Sequence, residues 1–329
     1  MFNQFYSIMK NSLFLLGAAA VVALSSCTKN EVLEVAENRA IGFDAFVGKS
    51  TRVTKDVTLA NLGSFELYGW RGDNQIFNKQ SVSVTEKGVC SYEPLQYWEA
   101  NYKYNFEAIA PAADGTKVAF AANKTGGTIT FVNDGETDLI YAKAEEKTTG
   151  ETISETPGAV SLTFKHLLSR VKFTFTNGFP KNAAAKITVS DVKITNTNAS
   201  ATITPATGEW GTYGNANKKE ITFKSENVAD VVATASKETE HMYLIPHTSP
   251  SYTLSFNVTL DQNGATTKYS HKTTINTAMA KGNSYNFTAT LTEKNIDPKT
   301  QLFPIEFTAL ETPWTNFTDG TVDIPSVQP

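Results

Sequence analysis

The chain has 329 residues, 40% of them hydrophobic and 19% charged, with a formal net charge of −4. This near-neutral balance, without basic runs, excludes nucleic acid as a partner. The length leaves room for two domains of about 100–200 residues, each stable through its own core.

Residues 1–26 carry one charge, Lys10, ahead of the apolar run SLFLLGAAAVVAL. A bilayer span needs roughly 20 apolar residues, so this shorter run reads as a secretory signal peptide. Its exit, Leu24-Ser25-Ser26-Cys27, resembles a bacterial lipobox. That resemblance implies cleavage between Ser26 and Cys27 and acylation of the Cys27 thiol, with palmitate among the acyl groups. Thr28 is not Asp, which implies an outer-membrane address with surface exposure. Membrane contact is then through lipid alone. Cys90 is left without an intrachain partner and reads as a small buried hydrophobe. Residues 27–39 are polar enough to be a tether.

From residue 40 the hydrophobic period is two. Ile41, Phe43, Ala45 and Val47 share one side of a first strand. Tyr102, Tyr104, Phe106 and Ala108 alternate, as do Val171, Phe173 and Phe175. Tyr252, Leu254, Phe256, Val258 and Leu260 precede Asn263-Gly264, a type I′ hairpin signal. Tyr269, His271, Thr273 and Ile275 follow it, and Tyr285, Phe287, Ala289 and Leu291 form a later run. Asp134-Gly135, Asn177-Gly178 and Asp319-Gly320 punctuate other segments. Helical periodicity is limited to a turn or two near 228–238. The pattern predicts an all-β chain of antiparallel sandwiches. The polar run EEKTTGETISETPG (145–158) places a boundary between an N-terminal sandwich over 40–150 and a C-terminal one over 158–329. IDPKTQLFP (296–304) sets off a last segment, in which Ile305, Phe307 and Ala309 alternate once more.

Candidate chemistry is sparse. Arg71-Gly72-Asp73 is the integrin-binding tripeptide and reads as a solvated turn. His166, His241, His247 and His271 lack the spacing of metal ligands, and His166, beside Leu167 and Leu168, reads as structural. No metal or cofactor is expected. G-x-S-x-G, H-E-x-x-H and P-loop motifs do not occur, and Glu145-Glu146 falls in the linker, so the chain is not expected to be an enzyme. Trp70, Trp98, Trp210 and Trp314 would form a platform in a sugar-binding module; in a sandwich they fill the core, which is the expectation here.

Seven stretches together resemble the fimbrillin superfamily, the subunits of type V pili: AIGFDAFVGKSTR (40–52), YWEANYKYNFEAIAP (97–111), DLIYAKA (138–144), VSLTFKHLLSRVKFTF (160–175), YLIP (243–246), KGNSYNFTATL (281–291) and IEFTALETPW (305–314). The resemblance implies two tandem transthyretin-like β-sandwich domains and a lipoprotein precursor. It also implies trimming by an Arg-specific protease after the first strand, here between Arg52 and Val53, with Arg39 as rival. The strand bearing Ile41, Phe43 and Val47 would then be released. Its groove would accept a donor strand from another fimbrial subunit, for which the segment with Ile305, Phe307 and Ala309 is the candidate; alternatively that segment completes its own sandwich. The implied role is a structural or adhesive subunit of cell-surface fimbriae. The competing reading is a surface lipoprotein that binds a host protein, or a host or dietary glycan, without polymerising.

Overall fold

The computed structural model describes residues 39–47, 56–151, 157–206, 208–211, 213, 218–247 and 251–314. Ser26, Cys27, Arg52 and Val53 lie outside the described residues.

The alternating runs form strands. The N-terminal half contains β1 (Phe43–Val47), β2 (Ser64–Arg71), β3 (Asn74–Val84), β4 (Cys90–Ser91), β5 (Lys103–Ala110), β6 (Val118–Ala121), β7 (Thr128–Val132), β8 (Ile140–Lys143) and β9 (Lys147–Thr148). Next come β10 (Val160–His166), β11 (Ser169–Asn177), β12 (Lys186–Asn198), β13 (Ser200–Ile203), β14 (Lys218–Thr222), β15 (Val231–Val232), β16 (Ser236–Glu238) and β17 (Met242–Leu244). The chain continues through β18 (Tyr252–Gln262), β19 (Ala265–Ile275), β20 (Asn283–Leu291) and β21 (Thr308–Pro313). The β18–β19 hairpin turns at Asn263 and Gly264, whose φ angles of 52° and 76° are those of a type I′ turn. Near 228–238 the helical expectation is corrected. A 3-10 turn at Glu226–Val228 is followed by β15 and β16, because Val228 and Val231 must both point into the core.

The first sheet has the order β1-β10-β8-β5-β2-β3-β4, with β9 beside β5. Its inner face supplies one core, built around Phe65, Phe77, Trp98, Phe106 and Phe164. Two further sheets, β16-β11-β20-β21 and β14-β12-β18-β19, share a second core that includes Phe173, Phe175, Ile187, Val258 and Phe287. A three-stranded sheet, β13-β7-β6, and a third cluster containing Tyr68, Phe131, Leu168, Tyr243 and Trp314 lie between them. Most pairings are antiparallel; β1–β10 and β11–β20 are parallel.

Two strands from beyond the 145–158 linker pair with strands that precede it. β10 lies beyond that linker yet sits between β1 and β8 of the first sheet, and β13 pairs with β7. The physical reason is burial: Val160, Leu162 and Phe164 point into the first core and complete it. After β10 the chain passes through the third cluster at Leu167 and Leu168 and enters the second core at Val171 on β11.

Candidate functional site

β1 closes the first sheet. On one side it runs parallel to β10 in the register Phe43↔Val160 through Val47↔Phe164. On the other it meets the segment around β4. Ile41 N–H donates to Gln96 O at 2.8 Å, Ala45 N–H to Gly88 O at 2.9 Å, and the Tyr92 hydroxyl to Ile41 O at 2.8 Å. The strand therefore lies in a slot with backbone partners on both flanks. Ile41, Phe43, Ala45 and Val47 all point inward and are buried. Phe43 stands edge-on to Phe77, Tyr92 and Phe106, at 5.7, 5.8 and 5.2 Å between centroids. Burial of Ile41, Phe43 and Val47 stabilises by on the order of 5–9 kcal/mol, at about 1.5–3 each. Phe46, on the outward face, is half exposed.

Gly88 sets the width of the slot. Its φ is +88°, and a Cβ there would come within 2.4 Å of Ala45 O. Only a residue without a side chain lets the β3–β4 hairpin approach β1 this closely. Cys90 lies beside it, half-buried, and burial pushes its thiol up to about 11, so it stays protonated and inert. Arg39 is exposed at the entrance to the strand, and its carbonyl accepts from Trp98 N–H at 2.9 Å.

The segment named as candidate donor is seated in its own subunit. β21 pairs antiparallel with β20 in the register Thr288↔Thr308 through Asn283↔Pro313. It is lightly held. Ile305 and Trp314 are buried at its two ends and Phe307 packs against Phe173, Phe175 and Phe256, but no residue of β21 itself is fully buried. Leu310 is 61% exposed.

A polar cluster absent from the sequence expectations lies where the two cores meet. Asp56 and Arg170 are fully buried and paired. Asp56 also accepts from the Tyr243 hydroxyl at 2.6 Å and from Trp314 Nε1 at 3.2 Å, while Arg170 Nε donates to Ser284 Oγ at 2.8 Å. Burial raises the Tyr243 pKa, keeping its hydroxyl a donor. Beside it, His166 Nδ1 contacts Asp138 at 3.0 Å and its ring stacks on Trp314 at 3.9 Å, so His166 is structural as expected. One signal was available: in HLLSRVKF, Arg170 falls on the face shared with Leu168, opposite Val171 and Phe173. A lone arginine on an apolar face needs a buried anion. Nothing in TKDVTLAN marks Asp56 as that anion.

The remaining candidates are placed as follows. Arg71-Gly72-Asp73 forms the β2–β3 turn; Arg71 is paired with Glu99 and lies over the Tyr102 ring, and Asp73 is paired with Lys124. All four tryptophans are buried. His271 stacks on Phe256, and the His247 ring packs at a tilt against Tyr213. Among the described residues, no three His, Cys, Asp or Glu side chains converge as a metal site would require.

Comparison with known proteins adds the following. The family model described as fimbrillin-like matches residues 51–306. A candidate cell adhesion protein from Bacteroides uniformis is 16% identical, with 84% of this chain and 99% of that one aligned and a TM-score of 0.49. The fimbrilin (fimA) of Porphyromonas gingivalis is 13% identical over 84% of this chain and 98% of that one, TM-score 0.44. The fimbrial anchor protein Mfa2 of the same organism is 11% identical over the same shares, TM-score 0.41. No curated protein sequence matches. With 256 consecutive residues covered by the family model, from 51 to 306, the chain belongs to the fimbrillin-like family.

Proposed function

We propose that the protein is a fimbrial or adhesive subunit of the cell surface that assembles by exchanging strands. In this reading the precursor is exported as an outer-membrane lipoprotein anchored through Cys27. An Arg-specific protease cuts between Arg52 and Val53, β1 leaves, and residues 305–311 of a neighbouring subunit take its place. Family membership supports the general role.

One observation carries the exchange. Read in the same direction, Ile305-Glu306-Phe307-Thr308-Ala309-Leu310 repeats the pattern of Ile41-Gly42-Phe43-Asp44-Ala45-Phe46. Three of the four inward residues, Ile, Phe and Ala, are identical. At the outward positions the donor differs: a Cβ at Gly42 would meet Ala159 at 3.6 Å, an ordinary contact, so the first carbon of the Glu306 side chain meets no clash there. The fourth inward residue differs: Glu311 would arrive at the place of Val47, which is buried in the first core, so the match ends at Ala309 and Leu310. A slot flanked by unpaired N–H and C=O groups is a template for strand addition. The glycan-binding alternative finds no support from the tryptophans, since none presents a surface platform.

The test uses purified precursor and a trypsin-like protease. The wild-type chain is expected to form oligomers after trimming. Arg52→Ala, and a chain ending at Pro304, are expected to stay monomeric. Oligomers from uncut Arg52→Ala would remove the processing step, and oligomers from the shortened chain would remove the donor segment.

A further inference from the structure

The buried cluster joins two parts of the chain that lie far apart in sequence. Asp56 follows β1 by nine positions. Its flank is fixed independently of β1: Val57 N–H donates to Asp138 Oδ2 at 2.8 Å, and Asn61 Nδ2 to Asp56 O at 2.7 Å. Trp314 directly follows the C-terminal strand. Its indole lies between the His166 ring at 3.9 Å and the Tyr243 ring at 5.5 Å, with the Arg170 guanidinium 5.2 Å from its centre. Its Nε1–H reaches the Asp56 carboxylate at 3.2 Å. Trp314 is wholly buried, whereas β21 just before it is mostly exposed.

We infer that the Asp56–Arg170 pair and Trp314 form a latch that holds β21 in its own subunit, and that opening this latch is the step by which the C-terminal segment becomes free to leave. The reasoning is local. A strand whose own side chains are mostly exposed is held by its ladder and by what pins its ends. One end is pinned by Ile305 and Phe307 in the second core. The other is pinned by Trp314: withdrawing that ring breaks its Nε1–H bond to Asp56, its stack on His166 and its contact with the Arg170 guanidinium, and returns a buried indole to water. These contacts are lost together, so the segment stays at home until the indole is displaced. Because Asp56 is held through Asp138 and Asn61, the latch persists after β1 has gone. It thereby guards against premature release of the segment. The consequence for assembly rests on the strand-exchange reading; the latch itself does not.

The experiment is hydrogen exchange on the uncut full-length precursor, comparing wild type, Asp56→Asn and Trp314→Phe. Trp314→Phe keeps a smaller ring in the stack and removes the Nε1 donor; it decides the matter if Asp56→Asn does not fold. The expected result is exchange roughly tenfold faster at the β21 amides bonded to β20, with the amides of β12 and β18 unchanged. A charge-assisted hydrogen bond of this kind is worth at least that factor. Unchanged β21 exchange in Trp314→Phe would overturn the latch. So would an equal rise in β12 and β18, because the cluster would then be holding the whole body together. The measurement needs no trimming and no polymer. A wild-type chain that fails to polymerise, with the β21 response intact, would count against the assembly reading alone.

Discussion

Phe43 is enclosed by three aromatic rings from different parts of the chain, Phe77 on β3, Tyr92 after β4 and Phe106 on β5. None can fill its place without leaving its own contacts, so Phe43→Ala leaves a cavity. The precursor is expected to lose about 3–5 kcal/mol, read from the shift of its urea midpoint. After trimming and loss of β1, mutant and wild type become the same molecule and their assembly should be indistinguishable. A persistent difference would mean that β1 stays. Glu107 offers a second test at this scale. It is fully buried on β5, and both carboxylate oxygens accept from Gly127 N–H at 3.1 Å. Burial pushes its carboxyl up to about 7, against the pull of the Gly127 N–H and the Lys143 ammonium. The folded state therefore binds a proton that the unfolded chain, with this group near 4.5, has already released. Its contribution to stability is full below about pH 4.5 and is lost as the pH rises through about 7. Glu107→Gln should flatten this slope and be the more stable form at about pH 8, by on the order of 1–3 kcal/mol. Parallel pH profiles for the two proteins would contradict this.

For β1 as an element, the decisive neighbour is a hairpin tip. Gly88→Ala puts a methyl 2.4 Å from Ala45 O at a φ of +88°. The β3–β4 hairpin must then retreat, and the precursor should lose about 1–3 kcal/mol. Gly158→Ala, where nothing lies within 4 Å, should be neutral. If both changes are neutral, the hairpin does not define the slot. Elements such as these were legible in part. The alternation of Tyr252 to Leu260 and the Asn263-Gly264 turn placed the β18–β19 hairpin well, and Ile41 to Val47 gave both the strand and its inward face. The partners of a strand were not legible. Period two says which face is buried and is silent about which strand lies alongside. Nothing local in Val160–His166 told that it would lie between β1 and β8, or in Ser200–Ile203 that it would pair with β7. The Asp56–Arg170 pair was equally hidden, since its two halves are separated by 114 positions.

At the scale of the whole molecule, the two cores are woven together. A site-specific protease site inserted at 152–156 should be cut without the fragments parting. β10 and β13 of the second fragment remain in sheets of the first, so the fragments should co-elute natively and separate only in denaturant. Fragments that separate without denaturant would support 145–158 as a boundary between independent domains. The assembly reading makes its sharpest statement about register. If Ile305 takes the place of Ile41, then Thr308 takes the place of Asp44, which lies opposite Ser161 on β10. In its own subunit Thr308 pairs instead with Thr288, in another sheet. Neighbouring strand positions lie within disulfide reach, at Cα separations of about 4.4–6.8 Å. The most direct measurement is therefore mild oxidation of trimmed protein carrying Ser161→Cys and Thr308→Cys in a Cys90→Ser background, run on a non-reducing gel. A ladder of disulfide-linked oligomers that appears only after trimming and collapses on reduction is expected. Oligomers that form without this disulfide, or a disulfide confined to monomers, would contradict the exchange of β1 for the C-terminal segment.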